Sequence, residues 1–351
     1  MDKQRANAFM LKLVGDVATT LAATLLTVGD RAGLFRALAG AGPLSSAELA
    51  ERAGIAPRYA DEWLAVMAGA GYVSYDAASA RFTLPDEHAQ FLVDPSSEYY
   101  LGGLFSGLPA MAAVVPQLVD AFRSGGGIAF SEFGAELPLA LAAMNRSVYE
   151  QRLVKTWLPT LPGVVQRLQA GGRALDVGCG LGVVPIALAR AFPQATVAGL
   201  EIDPRSVELA RAEAARAGVA VDFLAQGVEA LPTAPGWDLI TTFDVVHDLP
   251  DPAGALRRIR AGLAEGGTYL MVEPKAGDAL EQDLANPFAR MLYGISCLHC
   301  VPQSLALGGP GLGACWGERR ARALAADAGF GAFERLDIRS PALAFYALRA
   351  V

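Results

Sequence analysis

The sequence predicts an α/β fold: a mostly parallel sheet covered by helices, preceded by a helical region that ends in a small hairpin. Three observations carry this. After Gly171-Gly172, short apolar runs alternate with helical segments, the pattern of strands joined by crossover helices. The first of those runs ends in a glycine-rich loop. And residues 45–84 read as helix, turn, helix and two short strands.

Taken in order, residues 5–40 are helical, because Leu11, Val14, Ala18, Leu21, Leu25 and Val28 recur at a three-to-four spacing. Gly33-Leu34-Phe35 starts a second short helix that ends near Gly40-Ala41-Gly42-Pro43. Ser45-Ser46-Ala47-Glu48 then places a hydroxyl cap before a helix, and Gly54-Ile55-Ala56-Pro57 ends it. A further helix runs from Pro57 to about Gly69, followed by strands at Tyr72-Val73-Ser74-Tyr75 and Arg81-Phe82-Thr83-Leu84. This is a winged-helix pattern, a common DNA-binding motif. Its second helix argues against that role: it carries Asp61 and Glu62 and only Arg58, whereas phosphate contact requires basic side chains. Dimerisation or the covering of a pocket is expected instead, and residues 1–95 are assigned to it.

Residues 96–165 read as an apolar helical linker and substrate cover, with breaks at Gly125-Gly126-Gly127 and Pro138. Residues 166–351 form the sheet domain. Its strands are expected at 174–177, 196–200, 219–224, 238–243 and 268–272, and its helices near 185–192, 204–217, 253–264 and 318–328.

Composition narrows the function. The chain of 351 residues is 53% hydrophobic and 19% charged, too apolar to stay disordered. With 29 basic and 36 acidic residues the net charge is −7, which leaves no electrostatic footprint for nucleic acid. Tyr99–Val119 and Met291–Gly317 carry no charge. Their glycines and prolines suit a lipid-exposed helix poorly, and no basic clusters flank them. They are expected to wall a greasy pocket, with no membrane partner. Four cysteines are too few for a disulfide framework in a chain this long, and Met1-Asp2-Lys3-Gln4 opens no secretion signal. A reducing cytoplasm is the expected compartment.

The chemistry concentrates at strand ends. Leu175-Asp176-Val177-Gly178-Cys179-Gly180-Leu181-Gly182 ends the first strand of the sheet before a helix. Its D-x-G-x-G-x-G spacing differs from the dinucleotide G-x-G-x-x-G, and no Lys-Ser or Lys-Thr follows to cradle a phosphate. Gly199-Leu200-Glu201 ends the second strand, with its acid 25 residues after Asp176, placed to accept bonds from two ribose hydroxyls.

On these residues, the segment from about 170 to 350 resembles a class I S-adenosylmethionine-dependent methyltransferase. The resemblance implies a seven-stranded Rossmann-like sheet and S-adenosylmethionine as cofactor, with S-adenosylhomocysteine as product. Asp176, Gly178, Gly180 and Gly182 would face the methionine part, and Glu201 the ribose. Ile202, Gln226, Gly227, Phe243 and Asp244 complete the expected cofactor set. Asp203 is either a neighbour of the cofactor or a helix cap. The third motif departs from the family pattern: Gln226-Gly227-Val228-Glu229-Ala230-Leu231-Pro232 has Gly227 where relatives often carry an aspartate.

Thr242-Phe243-Asp244-Val245-Val246-His247-Asp248-Leu249-Pro250-Asp251-Pro252 resembles the His-Asp motif of small-molecule O-methyltransferases with an N-terminal winged-helix dimerisation domain. There the histidine takes a proton from the acceptor hydroxyl. The chemistry suits it: methyl transfer from a sulfonium needs alignment and, for a phenol, a base that works near neutral pH. His247 is expected as that base, with positioning and purely structural roles as its rivals. Glu273 stands where the relatives have a glutamate, and near Glu318 they have one that can help orient the histidine; both are expected in the catalytic set. Local backbone satisfaction is the rival role for Glu273, and a helix-dipole role for Glu318.

Cys297, His299, Cys300 and Cys315 offer soft ligands, yet the Cys-x-His-Cys cluster lacks the usual C-x2-C pairs. Free thiols and no metal are expected. Phe130, Phe133, Met144, Asn145, Tyr149, Trp157, Asp248 and Cys300 are the candidate contacts of a small-molecule acceptor, which is expected to be apolar and aromatic. A homodimer through the N-terminal domain is expected. N-, C- or S-methylation, a non-methylating use of the cofactor, and a ligand-responsive regulator are the alternative readings of the same sequence.

Overall fold

The computed structural model describes residues 1–231, 236–284 and 286–350, so Pro232 of the third motif lies outside the described residues. The chain divides into two compact units, Met1–Pro109 with Ala143–Val148, and Ala110–Ala142 with Tyr149–Val351.

In the first unit, α1 (Lys3–Arg31), α2 (Leu34–Leu38), α3 (Ser46–Ala53) and α4 (Pro57–Gly69) precede the wing strands β1 (Ser74–Asp76) and β2 (Arg81–Thr83). Ser45 starts α3 through a full capping box: its hydroxyl accepts from the Glu48 N–H, and the Glu48 carboxylate accepts from the Ser45 N–H. Gly54 ends the helix in the left-handed region, at φ +67°. Leu26, Phe35, Leu49, Trp63, Leu64 and Met67 form the core. α1 and α4 pack so closely that a side chain on Gly29 would strike the Trp63 ring. The Trp63 indole also donates to the Leu25 carbonyl at 3.0 Å. The one arginine of α4 is tied to Glu62 by an ion pair on the same helix. Among the described residues α1 is the one unbroken helix long and apolar enough to cross a membrane. Leu11, Val14, Val17 and Leu21 on it are each about 60% exposed.

In the second unit, β3 (Arg173–Val177), β4 (Thr196–Glu201), β5 (Asp222–Ala225), β6 (Trp237–Phe243), β7 (Leu263–Pro274), β8 (Ala332–Arg335) and β9 (Leu343–Arg349) form a seven-stranded sheet of order β5-β4-β3-β6-β7-β9-β8. The first five strands run parallel, and β9 pairs antiparallel with both β7 and β8. The order reverses at β3, between β4 and β6, and ligands of open α/β sheets bind at the carboxyl ends beside such a switch. Leu175, Ile240, Tyr269 and Met271 pack one face against Ile259, Ala321 and Ala325 of the covering helices. Each such buried side chain contributes about 1.5–3 kcal/mol.

Several details differ from the sequence expectation. The strands expected at 72–75 and 219–224 are shorter at one end, Ser74–Asp76 and Asp222–Ala225, and two more differences concern the linker and the long strand. Pro138 does not break the linker: it lies in the first turn of a helix, Glu136–Arg152, where the missing N–H leaves no bond unmade. The strand expected at 268–272 extends to Leu263–Pro274, with a register shift opposite Trp237 and Leu239.

Candidate active site

The glycine loop leaves β3 at the switch point. Gly178 has φ +71°, and a Cβ there would lie 2.6 Å from Cγ2 of Val245. Gly182 has φ +78°, and its Cβ would fall 2.7 Å from the Phe223 ring. Both positions therefore require glycine. Above Gly180 the space is open, so a ligand can lie directly on the backbone. Glu201 ties this loop to the end of β4: its two oxygens accept from the Gly180 and Asp203 N–H groups, both at 2.9 Å. Burial raises the pKa of Glu201 against those bonds. Asp176 is buried, accepts from the Thr241 hydroxyl at 2.6 Å, and is pushed up to about 8 by burial.

Of the remaining cofactor candidates, Ile202 exposes an apolar side chain just beyond Glu201, at 58%. Asp203 is a helix cap, accepting from the Arg205 and Ser206 N–H groups. Gln226 is exposed and Gly227 half-buried. The Glu229 carboxylate folds over Gly227, into the space a side chain there would fill. Glu229 stands two positions late in the motif, so its spacing does not mark it. An open glycine cradle beside an anchored carboxylate fits the amino-acid and ribose parts of S-adenosylmethionine.

At the carboxyl end of β6, Phe243 packs on Tyr149 (ring centroids 4.8 Å apart) and Trp157 (6.2 Å), and Trp157 on Phe345 (4.8 Å). The Tyr149 hydroxyl reaches Asp244 at 3.4 Å. Asp244 itself adopts φ +57°, a left-handed conformation that is costly outside glycine. Burial first, and then the Glu273 charge, raise it to about 7.

The next turn carries His247, which is 2% exposed. Its Nδ1 donates to Oε2 of Glu273 at 2.5 Å. Glu273, at the end of β7, also accepts from the Val246 N–H (2.9 Å), the Val245 N–H (3.3 Å) and the Trp316 indole (3.0 Å). It satisfies local backbone and holds the histidine at the same time. Nε2 of His247 points towards Asp248 Oδ1 at 3.4 Å and Cys300. Burial pulls the histidine pKa down, but Asp248, Glu273 and Cys300 more than offset it, and the net shift is well upward. Burial raises Asp248 to about 6 and the Cys300 thiol to about 11.

Glu318 corrects the expectation. It does not reach His247: Arg322 and Arg335 take its two oxygens at 2.7 and 2.8 Å. The intervening Trp316 makes the contact to Glu273 instead. Phe130 lies tilted against His299 at 5.9 Å and Phe133 meets it edge-to-face at 4.9 Å, one residue before Cys300. Met144 and Asn145 belong to the first unit. All four cysteines are free. From the uncharged stretch 291–317, Cys300 reaches the histidine, while Tyr293, Cys315 and Trp316 line a cleft of about 360 Å³ with Arg319 and Arg320.

The sheet order, the glycine loop and the acid ending β4 define the class I methyltransferase fold. Comparisons with known proteins agree: residues 168–324 match a methyltransferase domain, and residues 20–94 an Rv2258c-like winged HTH domain. The ubiquinone biosynthesis O-methyltransferase of Bordetella avium is 35% identical over 113 residues, which are 32% of this chain and 44% of that protein. The match thus spans under half the length of this curated relative. Two solved structures share the fold across almost the whole chain. The mitomycin 7-O-methyltransferase MmcR has a TM-score of 0.68 at 22% identity, covering 99% of this chain and all of the other. NcsB1, an O-methyltransferase from neocarzinostatin biosynthesis bound to S-adenosylmethionine and a hydroxy-methyl naphthoic acid, has a TM-score of 0.64 at 18% identity, covering 97% and 98%. The chain carries a methyltransferase domain behind a winged-helix domain.

Proposed function

We propose that this chain is an S-adenosylmethionine-dependent O-methyltransferase, acting on a hydroxyl of an apolar, aromatic small molecule with His247 as general base. The carrying observation is the buried pair His247–Glu273 at the carboxyl end of the sheet, beside the glycine cradle. When bound, S-adenosylmethionine supplies a methyl group on a sulfonium whose thioether leaves without protonation. The chain's own residues do the rest. The loop backbone at Gly178–Gly182 and the Glu201 carboxylate receive the cofactor, and Ile202 offers an apolar face to its rings. Nε2 of His247 takes the hydroxyl proton as the oxygen gains its methyl group. Glu273 accepts from Nδ1, so that in the neutral ring Nε2 is the nitrogen left free to take a proton, and it stabilises the imidazolium that forms. The low dielectric of the buried site strengthens that effect. The aromatic cluster of Phe243 and Tyr149 supports an acceptor of the same character.

The same reading extends to assembly and place. The apolar stripe Leu11, Val14, Val17 and Leu21 on α1 fits a second copy of the chain, and Leu11→Lys with Val14→Lys should convert a dimer to a monomer in sedimentation. The four free thiols fit a reducing cytoplasm.

The test is turnover of S-adenosylmethionine with a panel of phenolic acceptors, following S-adenosylhomocysteine and the mass of the product. Stoichiometric methyl ether supports the reading. Cofactor binding without methyl transfer, or transfer only to nitrogen, carbon or sulfur acceptors, contradicts it.

A further inference from the structure

We propose that His247, Asp248 and Cys300 form a binding site for a thiophilic divalent cation, with zinc the first candidate. One ligand atom from each residue lies within 4.8 Å of the others, and Nε2 of His247 is 3.4 Å from Oδ1 of Asp248. In a tetrahedral zinc site with bonds of about 2.0–2.3 Å, neighbouring donors stand about 3.3–3.8 Å apart. The nitrogen and oxygen already have that spacing, and the thiol, within 4.8 Å of both, needs to close by at most about 1 Å.

Two further observations point to an ion. Asp248 Oδ1 is withheld from solvent and makes no hydrogen bond of ordinary geometry, with Nε2 of His247 facing it at 3.4 Å, so a buried acceptor there is left under-satisfied. Glu273 accepts from Nδ1 of the same histidine, and a carboxylate behind the ring is the usual support of a metal-bound imidazole. The donor set of nitrogen, sulfur and one carboxylate suits zinc and disfavours magnesium or calcium, which take oxygen. Binding releases to solvent the Cys300 proton and the proton that Nε2 of His247 carries in the cationic ring, and changes no oxidation state. Three protein ligands leave a fourth position open.

The consequence for activity rests on the proposed function; the site itself does not. Nε2 cannot bind a metal and accept a proton together, so occupancy switches methyl transfer off. Cobalt(II) titration of the full chain tests the site. The expected result is one ion per chain, with a thiolate-to-cobalt charge-transfer band that zinc abolishes by displacement. Cys300→Ser should remove the band, Asp248→Asn should weaken binding at least tenfold, and Cys297→Ser, at an exposed thiol, should change neither. Cys300→Ala replaces the serine variant should the latter not keep the wild-type melting temperature. Absence of the band, or its loss in Cys297→Ser, overturns the site. A bound ion that leaves turnover unchanged upholds the site and overturns His247 as base. Zinc inhibition that a chelator reverses supports both.

Discussion

Glu273 and His247 stand 26 positions apart in the chain and 2.5 Å apart in space. The register of two neighbouring parallel strands produces that contact. β6 ends at Phe243 opposite Val272 of β7, so the turn beyond β6 carries His247 back over the next residue of β7, Glu273. The carboxylate accepts from four donors, and its position is thereby fixed.

Glu273→Ala leaves those donors without an acceptor in a buried site. Breaking such a pair costs about 3–5 kcal/mol. Urea unfolding should show a loss of that order together with loss of turnover. Glu273→Gln keeps one acceptor oxygen and should lose less stability while still impairing turnover. Equal stability of wild type and Glu273→Ala contradicts the prediction.

Glu318→Gln should leave turnover within about twofold, since the side chain is engaged by Arg322 and Arg335. Partly exposed ion pairs of this kind contribute roughly 0–1 kcal/mol, so the melting temperature should shift little. A hundredfold drop in kcat would return Glu318 to the catalytic machinery.

Gly178→Ala adds a Cβ at φ +71° and 2.6 Å from a Val245 methyl. Calorimetry with S-adenosylhomocysteine should show affinity at least tenfold weaker. Gly125→Ala, also at positive φ but with no neighbour within 4 Å, serves as the comparison and should bind normally. Unchanged affinity in Gly178→Ala places the cofactor elsewhere.

Glu48 gives a pH prediction in the first unit. The Ser45 N–H, the Arg81 guanidinium and the Ser45 hydroxyl lower its pKa to about 2 from the ordinary 4.5. A folded-state pKa below the unfolded one adds stability above the unfolded value, and that stability is lost as pH falls through the folded value. Thermal melts should therefore separate wild type from Glu48→Gln at pH 7 and converge as pH falls from about 4.5 towards 2. A gap that persists at pH 2 assigns the effect to something other than the carboxylate charge.

Much of this was legible in the chain. The glycine loop, Glu201 and the His-Asp turn are local patterns whose geometry follows from their own residues. α3 and α4 announced themselves by Ser45, Gly54 and Pro57. What the sequence concealed depends on packing between distant segments. The choice of Glu273 over Glu318 rests on where Trp316 puts its indole, 43 positions from the acid it serves. Glu229 covers Gly227 by a side-chain fold that no spacing rule encodes. β8 and β9 close the sheet antiparallel after the strand–helix alternation has ended, so the alternation did not reveal them.

The central claim is that His247 removes a proton, and one measurement separates this from mere positioning. Turnover of wild type and His247→Ala should be compared across phenols of falling pKa at constant shape, with S-adenosylhomocysteine binding as the folding check. A base matters only while the hydroxyl holds its proton. The variant should be about 10²–10⁴-fold slower with phenols near pKa 10, and should approach wild type with nitrophenols already ionised at the assay pH. An equal loss across the whole series would contradict the account and leave His247 as a positioning residue.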